Sequence, residues 1–161
     1  MTNRSKLEAL RASKLAVELS PEQCAVLAEL IDFRDLKAGD VLVREGERDN
    51  HLYAVVSGSV GVVKGAGGSA PTTLVTLADG ALVDELSFMD GTAHYASLVA
   101  LGDTCVFGLE RQKLESLLDT HPQIVYRVMR AIVRAVHQIQ RQLSRRSPER
   151  PGESPQQTGR P

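Results

Sequence analysis

The sequence predicts a mainly β fold with flanking helices, an antiparallel, jelly-roll-like β-roll of about eight strands. Three observations predict it. Short Val-, Leu- and Thr-rich segments recur between Val41 and Leu109, separated by turns bearing Gly, Asp or Ser; strands at this spacing build barrels, sandwiches and rolls rather than βαβ units. A helix-capping signature stands at Ser20, and a long helical periodicity starts at Pro122, so helices bracket the strands. The chain has 161 residues, 42% of them hydrophobic, which suits one core.

Element by element, residues 1–19 form an N-terminal helical segment, with Leu7, Leu10 and Leu15 as its apolar positions. In Ser20-Pro21-Glu22-Gln23 the serine caps, the proline takes the first helical position, and the glutamine reaches back to the cap. From Phe33 the period shortens. Strands are expected over 41–44, 52–56, 60–64, 72–77, 97–101 and 105–109, followed by helices over 111–119 and 122–143. The roll and its last helix therefore occupy 20–143. Residues 144–161 hold four of the seven prolines and no aliphatic or aromatic side chain, the composition of a disordered tail.

Within the last helix, Val125, Met129, Ile132, Val136, Ile139 and Leu143 are spaced 4, 3, 4, 3, 4. That heptad stripe predicts a parallel pairing with the same helix of a second copy, a homodimer. Ile124, Val128, Ala131 and Ala135 form a second apolar edge facing the roll.

Charge and composition exclude several classes. Residues 20–119 carry seven Lys or Arg against sixteen Asp or Glu, whereas 120–148 carry six Arg and no acid; an acidic body does not attract nucleic acid, and the basic helix face balances the field of its own domain. No apolar run approaches the roughly 18 residues that span a bilayer, and residues 1–20 lack a signal-peptide centre, so a cytoplasmic protein without a membrane partner is expected. Cys24 and Cys105 make no Cys-x-x-Cys pair and read as small buried hydrophobes. Glu45, Glu47, Asp49 and His51 surround one turn without a second imidazole, the pattern of a solvated turn rather than a metal site. No nucleophile elbow, phosphate loop or paired acid and base appears, so no enzyme is expected.

Leu36-Lys37-Ala38-Gly39-Asp40-Val41-Leu42-Val43-Arg44-Glu45-Gly46, then Leu52-Tyr53-Ala54-Val55-Val56-Ser57-Gly58 and Val60, resembles the opening of the cyclic nucleotide-binding domain family. That family includes the bacterial catabolite activators and the regulatory subunits of cyclic-AMP-dependent kinase. The resemblance implies a phosphate-binding cassette over 80–100. In it Glu85 matches the family's ribose-binding Glu, and Leu86, Gly91, Ala96 and Ser97 match their counterparts, with Tyr95 beside them. Asp84 stands where the family has Gly, and His94 where it has the Arg that pairs with the cyclic phosphate. Histidine offers one shorter donor in place of a permanent two-pronged cation, and only its protonated form replaces that charge.

The resemblance therefore implies a stand-alone regulatory module with a degenerate cassette, weak or altered nucleotide binding, no cofactor, and action through an unidentified protein partner. A true receptor for cyclic AMP or cyclic GMP is one alternative. A ligand-free adaptor whose basic helix engages an acidic partner is another. Relatives that read DNA carry a helix-turn-helix after the long helix; only residues 144–161 follow it here, so sequence-specific DNA binding is not expected.

Overall fold

Helices α1 (Lys6–Ala12) and α2 (Pro21–Ala28), joined through a 3-10 turn at Lys14–Ala16, precede eight strands in the computed structural model, which describes residues 5–83 and 85–146. The strands are β1 (Ile31–Leu36), β2 (Val41–Val43), β3 (His51–Ser57), β4 (Ser59–Lys64), β5 (Thr72–Ala78), β6 (Leu82–Val83), β7 (Ser97–Ala100) and β8 (Thr104–Glu110). Helix α3 (Glu85–Asp90) lies between β6 and β7, and α4 (Arg111–Glu115) and α5 (Pro122–Arg146) close the chain's described part. Two four-stranded sheets, ordered β1-β8-β3-β6 and β2-β7-β4-β5, form the roll, every pairing antiparallel.

Strands β3 and β8 at the centre of the first sheet are buried on both faces, and this explains the unbroken apolar run of β3. Tyr53 and Val55 turn into the roll with Val60, Val62, Val75, Leu98 and Val106. Leu52, Ala54 and Val56 turn outward and share a second core with Phe107, Leu109 and the helices. From the N-terminal segment that core takes Leu10, Leu15 and Leu27; from α5 it takes Ile124, Val125, Val128, Ile132 and Ala135. The capping box at α2 is present in full: Ser20 Oγ accepts the amide of Gln23, and Gln23 Oε1 accepts the amide of Ser20. At the turn between β3 and β4, Gly58 has φ of 87°, and an added Cβ would collide with the carbonyl of Asp103, so only glycine closes it.

Two strands lie outside the expected segments, and two helix ends differ from those expected. Strand β1 carries little strand signal because only Ile31 is buried in it; its pairing with β8 at six positions, not its own pattern, makes it a strand. Strand β6 is two residues long and rests on Tyr53 and Ala54. Helix α4 stops at Glu115, four residues early. Helix α5 runs through Arg146 rather than ending at Leu143, because Ser144, Arg145 and Arg146 do not oppose helix even though they have nothing to bury. The remainder of the expected tail, 147–161, lies outside the described residues.

The expected pairing stripe also changes. Val125 is 7% exposed and Ile132 2%, both packed in the core against the first sheet, so neither is offered to a second copy. The stripe straddles the edge of the covered face, with Val125 and Ile132 on the core side and Met129 on the solvent side, because 3.6 residues per turn does not keep a 3.5 repeat on one side. The apolar residues exposed on α5 are instead Tyr126, Met129 and Val133. The side chain of Leu143 lies outside the described residues.

Both cysteines are free and buried. Burial pushes the Cys105 thiol up to about 11, with the neighbouring Asp35 acting in the same direction, which leaves it a packing group. No described helix is long and apolar enough to cross a membrane.

Candidate functional site

The segment between β6 and β7 owes its position to the turn after β2. The amide of Gly46 donates to the carbonyl of His94 at 2.7 Å, and the amide of His94 donates to the carbonyl of Glu47 at 2.8 Å. Ser97 Oγ accepts the amide of Glu45 at 2.9 Å. At the end of α3, Gly91 has φ of 70° and donates to Ser87, a glycine helix stop. Asp90 Oδ1 then accepts both the amide and the hydroxyl of Thr92, at 2.9 and 2.7 Å. The Thr92 hydroxyl, helped by its amide, holds the Asp90 carboxyl below the usual range.

These contacts frame a cavity of about 360 Å³, inside the range of ligand pockets, about 300–1,000 Å³. Glu85 and Ser87 of α3, the Thr92–Ala96 segment and the inner face of the second sheet form three sides; Val136, Ile139 and Gln140 of α5 form the fourth. A hollow of about 380 Å³ near Gly58 is lined by Asp35, Lys37, Asp103 and Thr104. There the Thr104 hydroxyl is already engaged with Ser59 and Gly102, so the second hollow offers no buried polar group in want of a partner.

Glu85 is the most perturbed group in the cavity. It is 5% exposed, and its Oε1 has no hydrogen-bond partner among the described residues. Burial raises its carboxyl to about 7, against smaller opposite effects of a backbone hydrogen bond and of Lys14. His94 is 4% exposed. Burial lowers its imidazole, and the carboxylates of Asp49 and Glu47 only partly oppose this, so it is neutral at pH 7. The protonated His94 that the sequence resemblance calls for is therefore disfavoured by the burial of the imidazole.

Of the expected site residues, Glu85, His94, Tyr95 and Ala96 meet on this cavity. Ser97 does not: its hydroxyl faces the turn after β2 and lines a separate surface groove. Asp84 and the side chain of Leu86 lie outside the described residues. Val136 and Ile139, read as pairing residues, line the cavity instead, because the turns of α5 past Ala135 leave the first sheet and cross the cassette. Ser87, Asp90, Thr92 and Gln140 were missed. The cassette spacing already placed the first three, whereas only the fold brings Gln140 to them.

The turn around Asp49 is internally satisfied. Its carboxylate accepts the Tyr53 hydroxyl at 2.7 Å and meets His51 Nδ1 at 2.8 Å. Glu45 takes the Gly65 amide and pairs with Lys64, and Glu47 pairs with Arg44.

Comparison with known proteins places this geometry. The chain is similar to the cyclic AMP receptor protein of Thermus thermophilus, 28% identical over 119 residues, which are 74% of this chain and 55% of that protein. It is also similar to lysophospholipase NTE1 of Phaeosphaeria nodorum, 26% identical over 123 residues, 76% of this chain and 8% of that protein. The chain thus spans about half of the receptor and less than a tenth of the lysophospholipase. The crystal structure of a cyclic nucleotide-binding domain from Methylobacillus flagellatus matches with a TM-score of 0.77 at 25% identity, covering 89% of this chain and 80% of that one. Residues 33–121, more than half of the sequence, fit the family model of the cyclic nucleotide-binding domain, and with the eight-stranded roll in agreement, the chain belongs to that family.

Proposed function

We propose that this domain is a regulatory module that holds a small nucleotide-like ligand in the cavity beside Glu85 and passes its occupancy to a partner protein through α5. One observation carries the reading: Val136, Ile139 and Gln140 of α5 are a wall of the same cavity that Glu85 lines. A ligand there touches the helix directly, and only a differential contact of this kind lets binding bias a helix position. Cyclic AMP and cyclic GMP bind weakly in this reading. Lacking a buried cation against a phosphate costs about 2–5 kcal/mol, or roughly 30- to 4,000-fold in affinity. The module is a binding protein rather than an enzyme, and a second copy is engaged through Tyr126, Met129 and Val133, the apolar residues exposed on α5.

The adaptor reading has less support. Arg130 and Arg134 pair with the Glu18 carboxylate at 2.8 and 3.3 Å, and Arg127 donates to Gln23 Oε1 at 2.8 Å, so much of the basic face is committed within the domain.

Hydrogen exchange of the full chain with cyclic AMP or cyclic GMP near saturation tests the reading. Slower exchange in α3 and around Val136–Gln140 is expected. Unchanged exchange in both segments, with either nucleotide bound, would overturn the route through α5.

A further inference from the structure

The lining of the cavity carries a chemical bias of its own. Its body is apolar, from Val62, Val75, Leu77 and Leu98 of the roll and Val136 and Ile139 of α5. Its ionisable groups are two carboxyls, Glu85 and Asp90, the imidazole of His94 and the phenol of Tyr95, and no Lys or Arg side chain lines it among the described residues. The neighbouring cations point elsewhere. Arg48 and Arg111 donate to the carbonyls of Gly91 and Phe88 at 3.1 and 3.5 Å, Lys64 to that of Tyr95 at 2.6 Å, and Lys14 to Gln138 at 2.7 Å. A phosphate brought here would lose its water, find no Lys or Arg in the described lining, with Lys14 acting on Glu85 only from outside it, and face the Asp90 carboxylate.

What the cavity does offer is a carboxyl in want of a donor. Glu85 is buried, and its Oε1 is unpartnered among the described residues although the residue lines the cavity. A buried acceptor without a donor is costly, and a ligand hydroxyl relieves it. Because burial raises this carboxyl to about 7, near neutrality it is present both as an acceptor and as a donor, so uncharged hydroxyls suit it better than anions do. The apolar walls call for an apolar body on the same ligand.

Resting on the reading of this cavity as the ligand site, we propose that it takes an uncharged nucleoside, with the ribose hydroxyls on Glu85 and the base against the apolar walls, in preference to any phosphorylated nucleotide. The phosphate-repelling lining and the unpartnered Glu85 are then two sides of one selectivity.

Calorimetry on the full chain at neutral pH, using adenosine, guanosine and their 3′,5′-cyclic monophosphates, decides it. Each nucleoside is expected to bind at least about ten-fold more tightly than its cyclic monophosphate. On the same chain 2′-deoxyadenosine should bind at least about ten-fold more weakly than adenosine. A cyclic monophosphate that binds as tightly as its nucleoside, or more tightly, overturns the preference and leaves the cavity a nucleotide site. Equal binding of the deoxynucleoside overturns the assignment of Glu85 to the ribose. Binding of none of them up to about 10 mM overturns both this proposal and the ligand-site reading. Glu85→Gln is expected to weaken adenosine by about ten-fold; should that variant not fold, the deoxynucleoside comparison on the unaltered chain still decides.

Discussion

Gly46 and His94, 48 positions apart, are joined backbone to backbone: the Gly46 amide donates to the His94 carbonyl at 2.7 Å, and Gly46 does so at φ of 87°. The turn after β2 is thereby a fixed support for the one segment of the cavity wall that has no strand or helix of its own. Gly46→Ala has open space around the new Cβ, so its cost is backbone strain alone, about 1–2 kcal/mol, or a few degrees in Tm at about 2–4 °C per kcal/mol. Gly67→Ala, equally open and without a positive φ, is the control and should leave Tm unchanged. Equal Tm values for the two variants in a thermal melt would show that the turn is not held as described.

Glu85 makes stability depend on pH in an unusual direction for a carboxylate. Its carboxyl is raised from 4.5 to about 7 by burial, so the folded chain binds the proton more tightly than the unfolded one. The contribution is fully present below about pH 4.5 and is lost as pH rises through about 7, a change of up to about 3 kcal/mol. The lowered imidazole of His94 works the other way, withdrawing stability as pH falls through about 6.5. Urea midpoints for Glu85→Gln should be flatter with pH than those of the unaltered chain, and higher at about pH 8. Parallel profiles would mean that Glu85 is solvated.

The two neighbours Ile132 and Val133 should separate folding from association. Ile132 is 2% exposed in the core, and Val133 is 54% exposed. Ile132→Glu buries a charge and is expected to cost about 3–5 kcal/mol of stability. Val133→Glu should change stability by no more than about 0.5 kcal/mol yet shift sedimentation from dimer to monomer. A Val133→Glu chain that sediments as the unaltered one does removes α5 from the pairing surface.

His94→Arg should raise affinity for cyclic AMP. The residue lines the cavity, so the longer side chain has room to extend there, and a fixed cation replaces a neutral ring. A gain of about ten-fold or more is expected, falling with added salt, by titration calorimetry. No gain in a folded variant would mean that the phosphate does not approach this position.

Where a residue's neighbours in sequence are also its neighbours in space, the amino-acid pattern was enough. The Ser20–Gln23 capping box and the turns at Gly46 and Gly58 are local, and the structure keeps them. Strand β1 was hidden because Asp32, Arg34 and Asp35 are polar and only the ladder to β8 holds them in line. The α5 wall of the cavity was hidden for a related reason: nothing in Val136 or Ile139 distinguishes contact with a ligand cavity from contact with another helix. Ser97 shows the converse, since its position in the motif is kept while its hydroxyl is already taken by the Glu45 amide.

The double burial of β3 sets a limit on how this domain can move without precipitating. Leu52 to Val56 are five consecutive apolar residues, and Leu52, Ala54 and Val56 are sheltered only by the layer to which Ile124, Val125, Val128 and Ile132 belong. A short, uncharged, strand-forming stretch of this kind nucleates aggregation once it is bared. The front half of α5 is thus a permanent cover, and any motion compatible with solubility is confined to the turns beyond Ala135, where the helix leaves the sheet and reaches the cavity.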